Sequence, residues 1–213
     1  SSDLFARYLN LKQLEFNNVF FTNKTTEMRE MFRDCTNLAS LDLTCFDTSN
    51  VLSFGGMFLG CSKLSKLDIS SFETKNVVQM GWKFLNCKGL KSLDMSGFDT
   101  RKVTNMRQMF QDCHRLTNLN LGSFDTSNVA DMSLMFGWCG KLTKMDISSF
   151  NTSGVTELYG MFMGCKKLEQ IYVGDGFIVL DTEETNTNDM FKECKARIIR
   201  GKEELSIKNW RHQ

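Results

Sequence analysis

The sequence predicts an α/β solenoid of 26-residue strand, turn and short-helix units, stacked so that their strands form a parallel sheet on one face. Three observations carry this. Cys35, Cys61, Cys87, Cys113, Cys139 and Cys165 recur every 26 residues, and Cys194 follows after 29. Each of the first six cysteines is followed by L-x-x-L-x-L or a close variant, as in Leu38, Leu41, Leu43 and Leu116, Leu119, Leu121. A segment D-T-S-N or a variant then leads to Val51, Val77, Val103, Val129 and Val155. No single unit of this length could bury its own apolar face, so the units must stack and cover one another.

The elements follow in order. Residues 1–27 read as a degenerate N-terminal capping repeat, in which L-K-Q-L-E-F from Leu11 is an imperfect strand motif. Residues 28–194 form the solenoid. Within each unit the last two apolar positions of L-x-x-L-x-L alternate with polar residues, the period of a strand buried on one face. Phe46, Phe72, Phe98, Phe124 and Phe150 come next, and D-T-S-N supplies hydroxyl and amide side chains suited to capping a helix N-terminus. From Val103 the apolar residues fall at Val103, Met106, Met109 and Phe110, a spacing that places them on one helical face. Gly60 and Gly164 sit where such a helix would stop. The three extra residues before Cys194 fall in GDGFIVLDTEETNTND, and residues 195–213 make a C-terminal cap of one last strand and a charged segment. About eight strands at the usual ~4.8 Å spacing give a stack roughly 35 to 40 Å long.

Composition narrows the function classes. The 213 residues are 41% hydrophobic and 24% charged, enough for an ordered core. A net charge of +1 gives no overall field to gather a polyanion, so nucleic acid is not expected as a partner. No apolar run is long enough to cross a bilayer, so membrane insertion is not expected, and the start SSDLFARYLN lacks the basic and apolar regions of a signal peptide.

The wording of the repeat, as in MFQDCHRLTNLNLGSFDTSNV from Met109 and MFLGCSKLSKLDISSFETKNV from Met57, resembles the BspA-like branch of the leucine-rich repeat proteins. The resemblance is close over roughly residues 28 to 173 and looser at the ends. It implies a leucine-rich repeat solenoid of a bacterial surface or secreted protein. Such a module binds proteins, often in adhesion to host molecules or other cells, and shares no catalytic residue. No lipobox or wall-anchor motif accompanies it, so the surface location is an expectation by analogy.

In a solenoid each repeat position becomes a row of side chains, and constant apolar rows are core. The cysteine row lies beside constant Phe and Leu and reads as buried, reduced thiols, with disulfides between neighbouring coils or a metal site as the alternatives, though the C-x-x-C pairs of a metal site are absent. Cys45 stands outside that row and reads as a thiol near a strand end. Asp42, Asp68, Asp94 and Asp146, with Asn120, fall between the apolar strand residues and should form an acidic row on the concave face. On the helix side, the position five before each cysteine should point most directly to solvent, flanked by those nine and two before. There the second and third units hold Leu52, Leu59, Val78, Trp82 and Leu85, and Leu134 with Trp138 forms a smaller group. Such an apolar patch with an aromatic anchor reads as a partner-binding surface. The expected partner is a host or cell-surface protein, with self-association as an alternative. Only His114 and His212 are available for acid–base work, and no phosphate loop, dinucleotide fingerprint or zinc spacing occurs. The reading is therefore a protein that is not an enzyme and takes no cofactor or metal. The alternative is an intracellular or assembly-type structural solenoid that packs through its apolar helix face.

Overall fold

The L-x-x-L-x-L stretches form short parallel strands, as their alternation requires. The computed structural model describes residues 3–16, 21–179 and 185–206; residues 180–184 of the expected insertion, and residues 207–213 of the expected cap with His212, lie outside the described residues. Strands β1 (Gln13–Leu14) and β2 (Ser40–Leu41) pair in parallel, as do β3 (Ser92–Asp94) and β4 (Asn118–Asn120). Strands β5 (Lys144–Ile147), β6 (Gln170–Val173) and β7 (Arg197–Arg200) form a parallel set, and β8 (Glu203–Leu205) turns back antiparallel on β7. The hairpin passes through Gly201, whose φ of 59° is the left-handed conformation that glycine adopts without steric cost. The sheet is in three parts: residues 66–68 of the second coil are not a strand, and β4 is not paired with β5. Within each part the register keeps one buried row in line, as in Leu93 opposite Leu119 and Met145 opposite Ile171.

Seven coils result, one per cysteine of the row. Between them runs a column of stacked phenylalanines, Phe5, Phe32, Phe58, Phe84, Phe110, Phe136, Phe162 and Phe191, with successive ring centroids 5.4 to 5.8 Å apart. The ring planes are within 15° of parallel. Offset stacking is a favoured arrangement for such rings, and the column ties every coil to the next.

The segment between each valine and cysteine departs from the expectation. No α-helix occurs among the described residues, so the fold is a β-solenoid of seven coils, not an α/β solenoid of strand, turn and short-helix units. In a helix every N–H would bond a carbonyl four residues back. Here alternate amides leave the coil: Met106, Gln108, Phe110 and Asp112 each donate to the next coil, to the carbonyls of Asp131, Ser133, Met135 and Gly137, at 2.9 Å. The amides between them close four-residue turns, as in Met109 to Met106 and Gln111 to Gln108. Each coil therefore needs two left-handed residues four apart. Gly56 with Gly60 and Gly160 with Gly164 fill them in two coils, and pairs such as Gln108 with Asp112 fill them elsewhere. Gly60 and Gly164 are thus left-handed positions, but no helix ends at them. A column of single bridges, Glu27–Ser53–Gln79–Asn105–Asp131–Glu157–Asn186, continues this second inter-coil ladder.

D-T-S-N likewise caps no helix; each letter bonds in a different direction. In Asp47-Thr48-Ser49-Asn50, the Asp47 carboxylate accepts from the Ser49 N–H and hydroxyl. The buried Thr48 hydroxyl donates to the Glu73 carbonyl at 3.1 Å and accepts from the Glu73 N–H at 2.7 Å, one coil on. Asn50 donates back one coil, to the Asn23 carbonyl. The threonine staple repeats at Thr74, Thr100, Thr126 and Thr152.

Candidate binding surfaces

Asp42, Asp68, Asp94 and Asp146 lie exposed on the sheet face, aligned by strand register or repeat position. Their carboxylates are turned to their own chain. Asp42 accepts from the Thr44 N–H at 2.9 Å and its hydroxyl at 2.8 Å; Asp68 does the same with Ser70. Asp94 and Asp146 accept from the N–H of Ser96 and Ser148. Bonds from the backbone amide, then from the hydroxyl, hold the Asp42, Asp68 and Asp94 carboxyls below the usual range. The row closes strand ends, and no group of three His, Cys, Asp or Glu residues able to hold a metal ion occurs among the described residues. A recess of about 580 Å³ opens on this face beside the unpaired segment 66–68, lined by Gln13, Glu15, Asp42, Lys66, Asp68 and others.

The apolar patch is placed differently from its expectation. Leu52 is 44% exposed, while Leu59, Val78, Trp82, Leu85, Leu134 and Trp138 are half-buried. The row five before each cysteine is not the most exposed, because it is the first left-handed position: Gly56 and Gly160 are buried there, and Trp82 and Leu134 have φ of 59° and 56°. Side chains in the left-handed rows lean along the stack. Trp82 Nε1 donates to Gln108 Oε1 at 2.5 Å in the next coil. Leu134 and Trp138 lie against Gly160 and Gly164, where a Cβ would overlap them. Leu52 and Val78 are neighbours, joined by the bond from Val78 N–H to the Leu52 carbonyl.

The cysteine row is buried, and all eight cysteines are thiols outside any disulfide. Each Sγ of Cys61, Cys87, Cys113, Cys139 and Cys165 donates to a phenylalanine carbonyl of the preceding coil at 3.0 to 3.2 Å. Burial pushes these thiols up in pKa, so they are not nucleophiles. His114 is exposed, bonded through Nδ1 to the Trp138 carbonyl, with Nε2 3.5 Å from Asp112.

Sequence reasoning passed over Lys83. It takes the place of a methionine in the row Met57, Met109, Met135, Met161. Its side chain is 0% exposed, and Nζ has no hydrogen-bond partner among the described residues. Nζ lies 3.8 Å from the Phe54 ring centre and 5.0 to 5.6 Å from those of Phe72, Phe84 and Phe98. Desolvation holds the amine well below its usual pKa. The available signal was that a charged residue stood in an otherwise apolar row.

No curated protein matches the chain. Among solved structures, a leucine-rich cell surface protein from Faecalibacterium prausnitzii A2-165 is similar at 16% identity, with 85% of this chain and 77% of that one covered and a TM-score of 0.32. A leucine-rich repeat protein from Bacteroides ovatus ATCC 8483 is similar at 16% identity, over 90% of this chain and 66% of that one, with a TM-score of 0.33. The profile of a family described as "Mycoplasma protein of unknown function, DUF285" matches residues 2–94 and again 79–202, two overlapping passes over one periodic chain. With nearly its whole length matched in this way, the chain belongs to the DUF285 family.

Proposed function

We propose that this chain is a non-catalytic protein-binding solenoid of a surface or secreted protein, acting in adhesion or host interaction, as the BspA-like wording of its repeats suggests. One observation carries the binding role. The inter-coil bonds and the core are made by constant rows, so the outward positions are free to vary, and at the position nine before the cysteine only the second and third coils hold the large apolar residues Leu52 and Val78. These two adjacent side chains offer a half-exposed apolar patch on a scaffold tied by the phenylalanine column and the threonine staples, and Leu59, Trp82 and Leu85 of the same two coils are half-buried. Rigid presentation lowers the entropy that binding costs. The engagement of His114 with Asp112 and a backbone carbonyl, and the raised pKa of the buried thiols, support a role without catalysis.

The test is biosensor binding of the whole chain to a panel of purified matrix, mucus and cell-surface proteins, alongside the double variant Leu52→Glu, Val78→Lys. Binding to a panel member that the variant loses at unchanged melting temperature supports the reading. Absence of binding across the panel, or equal binding by the variant, rejects it.

A further inference from the structure

We infer that the turn between the cysteine row and the sheet is a binding surface for a linear sulfated glycan. The overall charge of +1 hides a strong segregation. In the five residues after each of the last six row cysteines stand Lys63, Lys66, Lys88, Lys91, Arg115, Lys141, Lys144, Lys166, Lys167, Lys195 and Arg197, against Glu169 as the one acidic residue. Eleven of the 26 Lys and Arg residues thus meet one of the 25 Asp and Glu, and the rest of the chain is net negative.

All eleven side chains are exposed. The solenoid brings them into line, because these turns stack coil on coil: Thr117 N–H bonds the Lys91 carbonyl, Glu169 N–H that of Thr143, and Arg197 N–H that of Glu169. At about 4.8 Å per coil, six coils give a cationic ridge roughly 25 Å long. Lys88, Lys91, Arg115, Lys141 and Lys144 at its centre make no ion pair among the described residues, so their charge is not spent within the chain. Near the C-terminal end the ridge borders a recess of about 700 Å³ lined by Lys166, Lys167, Lys195, Arg197 and Glu169, where Lys166 pairs with Glu193 and Arg197 with Glu204.

The shape of the ridge selects the ligand. It is narrow: two residues beyond Lys66 and Lys144 the sheet face turns acidic with Asp68 and Asp146, flanked by Asp42 and Asp94. A planar anionic bilayer would meet both rows at once, whereas a single extended polymer can follow the basic one alone. The five-residue stretches hold no Phe, Tyr or Trp on which bases could stack, and nine of the eleven cations are lysines, point charges without the fork that reads base edges. What remains is a linear polyanion bound by charge through flexible amines, the chemistry of sulfate groups along a glycan. This surface is separate from the apolar patch and does not depend on a protein partner.

The experiment uses the whole chain and the variant Lys88→Ser, Lys91→Ser, Arg115→Ser, Lys141→Ser, Lys144→Ser, whose positions are exposed; circular dichroism and the melting temperature check that it folds. Binding is measured to a heparin oligosaccharide, to its desulfated form, to a single-stranded DNA of similar length, and to phosphatidylcholine vesicles containing about a third phosphatidylserine. The expected result is salt-dependent heparin binding that weakens at least about tenfold in the variant, with a shallower salt slope. Desulfation should abolish it, and DNA and vesicles should bind more weakly. No heparin binding, equal binding by the variant, or tighter binding of the desulfated glycan, the DNA or the vesicles overturns the inference.

Discussion

Lys83 shows how far one residue can stand against the rest of the core. An amine buried without a hydrogen-bond partner among the described residues costs free energy, and the four surrounding phenylalanine rings offset part of it through cation–π attraction only while the amine is protonated. The same row is filled with methionine in other coils, so Lys83→Met restores a side chain of similar length without the desolvated amine. It should raise the stability to urea by about 2 kcal/mol. The pH dependence follows from the direction of the shift. The folded-state pKa is lowered below the ordinary 10.5, so between the two values the unfolded chain holds a proton that the folded chain does not. Stability therefore rises with pH through that window, by at most about 1.4 kcal/mol per unit, and Lys83→Met should flatten the rise. An unchanged slope in denaturation series at rising pH would show that the amine is solvated. The row cysteines are as deeply placed, and desolvation raises the pKa of Cys61, Cys87, Cys113, Cys139 and Cys165. The whole row should stay silent to a thiol reagent in the native protein, while the half-exposed Cys45 reacts. Seven further thiols should appear only on unfolding, and early reaction of several would show that the coils open locally.

At the scale of the element, the threonine staple joins adjacent coils by satisfying both backbone groups of one residue. Thr100 Oγ1 donates to the Asp125 carbonyl at 2.7 Å and accepts from the Asp125 N–H at 2.8 Å. Thr100→Val keeps the shape but leaves both groups unsatisfied at a buried site, at a cost of about 1 to 3 kcal/mol. Thr100→Ser keeps the hydroxyl and should lose less; equal losses in chemical denaturation would assign the effect to packing and not to the staple. This role was not legible in the sequence. D-T-S-N caps helices in many proteins, and a linear pattern does not say that the threonine's partner lies 25 residues on. The helical spacing misleads for a related reason. Apolar residues at Val103, Met106, Met109 and Phe110 suit one helical face, yet successive four-residue turns that include left-handed residues give nearly the same spacing. The discriminating signal was the pair Gly56 and Gly60, repeated at Gly160 and Gly164, since glycine weakens a helix interior but costs nothing at a left-handed turn. Most of the strands, the cysteine row and the phenylalanine row were legible because burial on one face imposes a period that any chain of this kind must show; the second coil, with the same L-x-x-L-x-I wording, forms no strand at residues 66–68. Of the surface, the acidic row could be placed from strand alternation. The apolar patch could be located but not oriented, because its orientation depended on the helix.

At the scale of the whole molecule, each coil bonds only its neighbours, so the stack behaves as a one-dimensional array whose stability sums over coils and their interfaces. The bonds that cross a coil boundary are the same at successive boundaries. Phe84 stacks on Phe110 at 5.6 Å as Phe110 stacks on Phe136 at 5.8 Å, and Cys113 and Cys139 donate to Phe84 and Phe110 at the same 3.2 Å. Removing residues 114–139 deletes one full period and joins Cys113 to Gly140, which keeps every row in phase. The shortened chain should fold with an unchanged circular dichroism shape and a lower melting temperature, since it has lost one coil and one interface. Removing half a period, residues 114–126, should prevent folding of the same region, because Cys139 would then fall 13 residues after Cys113, at the place of the buried Thr126, and Thr100 would lose its partner Asp125. The pair of deletions separates periodicity from tolerance in general: if both fold, the rows are not what holds the coils together, and if neither does, the coils are not interchangeable. The first outcome would contradict the stacked column and staples as the source of order, and the second would place that order in the special ends, where the β7–β8 hairpin closes the sheet.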